Sequence, residues 1–261
     1  MKFDMHCHVK EGSIDAKVSL EEYIDRLMDK GFQGMLVTDH DTYDGYRKWK
    51  YELKNDDRYK DFVVIKGIEY DTRDAGHMLI IMPDHLKLRV LEVRGLPIQT
   101  LIDVIHKSGG IIGPAHPCGE RFLSMMSTGR FRKNDHLVEK FDFIETFNSC
   151  ESDESNRRAR ALAEKYHKPQ FGGSDAHKLD CAGLAYTRID ADIRSANDLI
   201  HAVQEHKVVS CGGTYYKFTT KQKLGKLNNI PVAAFYFYNK SASLIKTNKR
   251  NKKLIEHLLL R

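Results

Sequence analysis

Short apolar runs alternate with amphipathic stretches along most of the chain. Residues 2–6, 35–38, 62–68, 77–82, 111–115, 141–147, 169–172 and 184–187 read as strands, and 207–210 as a short further one. Helical patterns lie between them. Ser19 stands three residues before Glu22, a capping-box spacing, and predicts a helix running to about Lys30. Residues 44–53, 97–107, 153–166 and 195–205 predict further helices, with Gly109 and Gly110 ending the second of these. The alternation predicts an α/β fold. Each strand, taken as parallel, ends where a metal-binding type of side chain occurs. A barrel gathers such ends at one face, where its loops build a site. An open doubly wound sheet would bring fewer ends to one point. About seven units fit a barrel that is not the regular eight-unit kind.

The character of the chain changes at Cys211. We expect residues 1–210 to form the barrel domain and 211–261 a C-terminal extension packed on it. Residues 246–253 are a basic run, read first as the solvated face of a terminal helix and second as a contact for an anionic surface.

Composition narrows the class further. The 261 residues are 41% apolar and 30% charged, as in ordinary soluble globular proteins. The formal charge of +6 favours anionic partners, and phosphorylated metabolites fit as well as nucleic acid. No run of about 18 apolar residues predicts a membrane span. The first residues show no secretory signal, and the five scattered cysteines form no CxxC pair, so we expect a cytoplasmic protein. Cys7 and Cys118 adjoin candidate ligands and read as small buried filler.

The candidate chemistry lies in nine residues: His6, His8, Asp15, His40, Glu69, His77, His116, Asp175 and His177. His6 and His8 are two apart on a strand and point to the same side. Asp4 shares that side, as a supporting group or as a cap for backbone donors. Asp39 and His40 are adjacent, so one ligates while the other supports, and His40 is the favoured ligand. Glu69 ends an apolar strand, where a carboxylate needs a cation or a donor. Asp175 and His177 repeat the spacing of two after Gly172 and Gly173, which allow close backbone approach. A mixed imidazole and carboxylate set suits Zn²⁺, Mn²⁺ or Fe²⁺ and disfavours a pure Mg²⁺ site. No nucleophile elbow, Walker loop or GxGxxG motif is present.

DMHCHV at 4–9, TDHD at 38–41, GIEY at 67–70, GH at 76–77, AHP at 115–117 and GGSDAH at 172–177 together resemble the PHP (polymerase and histidinol phosphatase) family of metal-dependent phosphoesterases. The resemblance spans about the first 190 residues. It implies a distorted (β/α)₇ barrel with two or three divalent ions (Mn, Zn or Fe) at the C-terminal ends of the strands. His6, His8, Glu69 and Asp175 look like ligands of one ion, and His40, His177 and Asp15 like those of a second. Glu69 again, with His77 and His116, looks like the third. Many relatives have histidine where this chain has Asp15. Ser13-Ile14-Asp15-Ala16 is similar to the SDGT-type segment of a subgroup, without its glycine. Only 38 residues separate His77 from His116, too few for the domain that nucleotide-hydrolysing relatives insert there.

The resemblance implies catalytic roles for Asp175, His177, Glu69 and a phosphate clamp, for which Arg121 is the first choice and Arg157, Arg158 and Lys178 follow. Phe122, Met125 and Met126 fit a buried helix stripe as well as a wall for a ring-bearing substrate. The expected activity is hydrolysis of a small phosphomonoester by metal-activated water. A nuclease or nucleotide phosphodiesterase, a metal-stabilised binding protein and a carbonyl hydrolase are the alternatives. The oligomeric state is open.

Overall fold

The computed structural model of the protein describes residues 1–119, 123–133 and 135–217, with single positions 230 and 234. The strands are β1 (Lys2–Cys7), β2 (Gly34–Val37), β3 (Val63–Asp71), β4 (His77–Ile81), β5 (Ile111–Pro114), β6 (Ile144–Asn148), β7 (Gln170–Gly173), β8 (Ala185–Ile189) and β9 (Val208–Gly213). The helices are α1 (Leu20–Asp29), α2 (Asp44–Lys48), α3 (Ile98–Lys107), α4 (Gly129–Lys133), α5 (Asp153–Lys165) and α6 (Ala196–Gln204).

Seven strands form one curled sheet in the order β5-β4-β3-β2-β1-β8-β9, and β6 and β7 pair as a second. The two sheets meet at both seams. The Asp142 N–H donates to Ile112 O at 2.9 Å beside β5, and the Asp175 N–H to His6 O at 2.9 Å beside β1. A Cys7–Ala176 bridge extends the second seam. The result is a distorted half-barrel.

Strands β2–β5 are buried almost throughout, which fits their largely apolar runs, and β1 is as buried although Lys2, Asp4 and His6 alternate with Phe3, Met5 and Cys7. Helix α1 begins as its spacing predicts. Ser19 Oγ accepts from the Glu22 N–H, and Glu22 Oε2 accepts the Ser19 N–H at 2.9 Å. Its Leu20, Tyr23, Ile24 and Leu27 form the buried face. After Lys48 the helix predicted over 44–53 widens into a π turn, Trp49–Leu53, with Trp49 and Leu53 buried.

The expectation of parallel strands needs correction. Pairs β1–β2, β2–β3 and β6–β7 are parallel, but β3–β4, β4–β5, β1–β8 and β8–β9 are antiparallel. Only residues 72–76 join β3 to β4, too few for a crossover helix, so β4 must turn back. Gly76 makes that turn at φ 69°, and a Cβ there would meet Leu123 O at 2.3 Å. β6 also starts later than expected. Phe141 closes a 3₁₀ turn, and Asp142 Oδ2 caps the Ile112 N–H at 2.8 Å instead of leading a strand. Strand β9 runs past Cys211 to Gly213, and most of the expected extension lies outside the described residues. Among the described residues no helix is long and apolar enough to cross a membrane.

Candidate metal centre

Six strands deliver the nine candidate residues to one end of the half-barrel. His6 lies in β1 and His8 just after it, and Asp15 sits in the loop that follows. His40 lies beyond β2 and bridges to Glu69 near the end of β3. His77 opens β4 rather than ending it. Because β4 runs backwards, its start lies beside the ends of its neighbours. His116 follows β5, and Asp175 and His177 follow β7.

Glu69 is the hub. Its Oε1 is 2.9 Å from His77 Nδ1 and 3.0 Å from His116 Nε2. Its Oε2 is 3.0 Å from His40 Nδ1, 3.2 Å from His8 Nε2 and 3.4 Å from His6 Nε2. Asp175 Oδ1 lies 3.2 Å from His8 Nε2 and 3.5 Å from His6 Nε2. Asp15 Oδ2 lies 3.3 Å from His177 Nε2 and 3.5 Å from His40 Nε2. Three compact donor groups result: His6, His8 and Asp175; His8, His40 and His177; and His40, Glu69 and His77. His8 and His40 are thus shared between neighbouring groups, a finer overlap than the one expected from sequence.

The donor set fits divalent cations. Among the described residues Glu69 Oε2 is buried without a hydrogen-bond partner, although three imidazole nitrogens surround it. The Nε2 atoms of His6 and His8 face each other at 3.0 Å. Such convergence of buried lone pairs and carboxylates suits a cation between them. Electrostatics agree. Burial raises the affinity of Glu69 for a proton, but His77, His6 and His40 outweigh it and hold the carboxyl well below its usual range. Asp175 is likewise held well below its usual range, against burial, by His6, His8 and His177. Burial lowers the basicity of His116, but Glu69 reverses this and raises it to about 9. Burial, with His177 and His40 nearby, keeps His8 below its usual value.

The second nitrogen of several imidazoles also has a partner. His8 Nδ1 meets Ser13 Oγ at 3.2 Å, and Ser13 donates to Asp39 Oδ1 at 2.8 Å. His116 Nδ1 meets Ser124 Oγ at 3.3 Å, and His177 Nδ1 meets Asp175 O at 3.1 Å. His6 Nδ1 meets Glu145 Oε1 at 2.9 Å. Asp39 therefore supports while His40 faces Glu69. Asp39 also accepts the Val9 N–H at 2.9 Å and the Gly45 N–H at 3.2 Å, and burial pushes its carboxyl up to about 7. Asp4 caps backbone and hydroxyl donors, taking the Ser174 N–H at 2.8 Å and the Tyr23 hydroxyl at 3.0 Å.

Backbone strain marks the same region. His116 (φ 29°), Asp175 (φ 50°) and Asp41 (φ 51°) occupy left-handed conformations that non-glycine residues rarely adopt. Gly173 permits a close approach, since a Cβ there would lie 2.2 Å from His6 Cβ.

Ser13, Ser124 and the full part played by Glu145 escape sequence reasoning. A serine in a loop carries no signal by itself. A carboxylate amid the apolar residues of β6 does carry one, because burial demands donors for it. Arg121 and Phe122 lie outside the described residues, as does the basic run. Arg157 pairs with Asp153 at 3.2 Å on the exposed face of α5. Lys178 is exposed. Met125 is buried in the core and Met126 packs against it, which settles them as packing residues. Cys7 is buried, with its thiol bonded to Asp4 O at 3.4 Å.

A half-barrel that concentrates so many imidazoles and carboxylates at one end places the protein among the metal-dependent hydrolases. The PHP domain sequence family matches residues 4–168, so the chain belongs to it, and a PHP-associated region matches 153–208. No curated protein matches the chain. Among solved structures, PsfC from Pseudomonas syringae PB-5123 is 17% identical, with 92% of this chain and 98% of that one covered and a TM-score of 0.60. A two-domain protein from Bacteroides vulgatus ATCC 8482, described as containing a predicted PHP-like metal-dependent phosphoesterase, is 17% identical with a TM-score of 0.58. That match covers 82% of this chain but only 65% of the Bacteroides protein, less than two thirds of its length. The lesion-specific endonuclease PfuEndoQ from Pyrococcus furiosus is 17% identical with a TM-score of 0.59, covering 87% of this chain and 66% of that one. At such identity the likeness is one of fold.

Proposed function

We propose that the chain hydrolyses a small phosphomonoester, with Glu69, Asp175 and His177 in catalytic roles and all nine clustered residues holding two or three divalent ions. The observation that carries this reading is Glu69 Oε2, a buried carboxylate oxygen with no hydrogen-bond partner among the described residues, ringed by His6, His8 and His40. Divalent ions bound here acidify a water molecule and offset charge on the phosphate oxygens. The protein's own groups do the positioning. Ser13 and Glu145 hold the Nδ1 atoms of His8 and His6, which leaves both Nε2 atoms facing inward. Glu69 and Asp175 would supply the negative charge that holds such cations.

Substrate approaches from the side of Asp15, His40 and His177, whose side chains are 44%, 19% and 28% exposed. The opposite side is closed by buried Asp4, Tyr23, Glu145 and Asn148. The description of the Pyrococcus relative as an endonuclease makes a nucleotide or oligonucleotide diester the second reading.

Phosphate release across a panel of sugar phosphates, amino-alcohol phosphates, mononucleotides and short oligonucleotides tests the proposal, using protein reconstituted with Mn²⁺, Zn²⁺ or Fe²⁺. A selective monoester hit that disappears in His8→Ala and Asp175→Ala supports it. Cleavage of oligonucleotides alone transfers the reading to diesters, and turnover unaffected by chelation overturns the metal-dependent chemistry.

A further inference from the structure

Among strands β1–β7, β6 alone brings none of the nine candidate residues to the cluster. It nevertheless sends a fully buried carboxylate into its base. We propose that Glu145 and Asn148 of β6 form a positioning pair, fixing His6, His116 and Asp175 as one unit for metal binding. This inference rests on the metal-centre reading above.

The hydrogen bonds dictate the polarity of the pair. Glu145 Oε2 accepts the His116 backbone N–H and one N–H of Asn148 Nδ2, the latter at 3.2 Å. The other oxygen, Oε1, lies 2.9 Å from His6 Nδ1 and accepts its proton. His6 Nε2 is then left facing His8, Glu69 and Asp175, the geometry a cation needs. The orientation of the Asn148 amide is equally constrained. Its Oδ1 accepts the Cys150 N–H at 2.9 Å, so Nδ2 must face the carboxylates. The second N–H of Nδ2 reaches Asp175 Oδ2 at 3.1 Å, which leaves Oδ1 of Asp175 turned to the imidazoles. Asn156 locks the Asn148 backbone from both sides, with Oδ1 accepting its N–H at 3.1 Å and Nδ2 donating to its carbonyl at 3.0 Å.

Groups from β1, β5 and β7 therefore converge on two side chains of a single strand. His116 and Asp175 are also two of the residues with left-handed backbone, and the pair restrains both directly. A glutamine at 145 keeps the shape but not the polarity. With its amide nitrogen toward His116, donor meets donor at two places. With the nitrogen toward His6, the imidazole must move its proton to Nε2, where a cation would bind.

Calorimetric titration of Mn²⁺ into metal-stripped wild-type, Glu145→Gln and Asn148→Ala proteins tests the pair, together with melting of the stripped proteins. Glu145→Gln is expected to weaken at least one ion by about 10- to 100-fold in a stripped protein that still folds. Activity lost in this variant returns with excess metal, and the KM for substrate stays unchanged. Wild-type affinity in Glu145→Gln overturns the proposal. So does a lower melting point with normal metal binding, which marks a structural role only. If Glu145→Gln does not fold, Asn148→Ala decides: weaker binding of an ion supports the pair, and unchanged binding overturns it. Failure of the wild type itself to bind metal overturns both this inference and the metal-centre reading beneath it, and is distinguished by appearing before any substitution.

Discussion

The buried and open halves of the cluster are built in different ways. His6, His8 and Glu69 lie on strands or directly after one, and their side chains are at most 1% exposed. Asp15, His40 and His177 come from loops and face solvent. In the buried half, Glu145 and Ser13 hold the outer nitrogens of His6 and His8, so neither ring can turn without stranding a buried polar group. In the open half, Asp15 has His40 and His177 as its ion-pair partners among the described residues. The comparison teaches that one end of a half-barrel can combine a donor group locked by buried partners with one open to solvent. Strand placement supplies the first and a loop carboxylate the second.

The largest effect is expected where both halves meet. Glu69→Gln removes the charge that faces five imidazoles and should lower turnover by at least about 1,000-fold, together with metal content. Metal analysis and kcat check this, and full metal content in the variant would break the picture of a shared hub. The next pair of variants compares the halves directly. His6→Ala, in the buried half, should cost about 100-fold or more in kcat and resist rescue. Asp15→Ala should cost about tenfold and recover with excess metal, because its loop position is open to solvent. Equal losses from the two would erase the distinction.

A smaller effect follows from pH. His116 of metal-free protein holds its proton to about 9, against burial, because Glu69 faces it. This value lies above the ordinary 6.5, so the stabilisation is complete below about 6.5 and is lost as pH rises through about 9. A bound ion competes with that proton, so metal affinity changes in the opposite sense and grows over the same window. The difference in melting temperature between loaded and stripped protein should therefore widen with pH, and a constant difference would contradict the assignment. The smallest effect lies away from the cluster. Ser19→Ala removes the cap of α1 and should cost about 1 kcal/mol in denaturant unfolding without altering metal affinity. A change in affinity would show that the buried half depends on α1 more closely than its contacts indicate.

Sequence reasoning was most successful where periodicity or a reciprocal cap acts locally. Helix α1, with Ser19 and Glu22, and the buried face of α3 at Ile98, Leu101, Ile102 and Ile105 follow their patterns. The α/β class and the clustering of imidazoles near strand ends were also legible. Strand direction was not, because an apolar run reads alike in both senses. The connection over 72–76 contained the clue, being too short to return a parallel strand. The part played by Glu145 was not legible, since its partners lie far away at His6 and His116. Ser13 gained its meaning only from Asp39, which stands 26 positions further on.

The sequence by itself determined the kind of chemistry available, since imidazoles and carboxylates at regular spacings declare their donor atoms wherever the chain carries them. It also determined the local elements, whose periods and caps act over a few residues. The tertiary structure alone decided that β4 reverses, that Glu69 faces five histidines and that β6 buttresses cluster residues from three other strands. Those features depend on distances between residues remote in the chain, and only the closing of the half-barrel sets such distances.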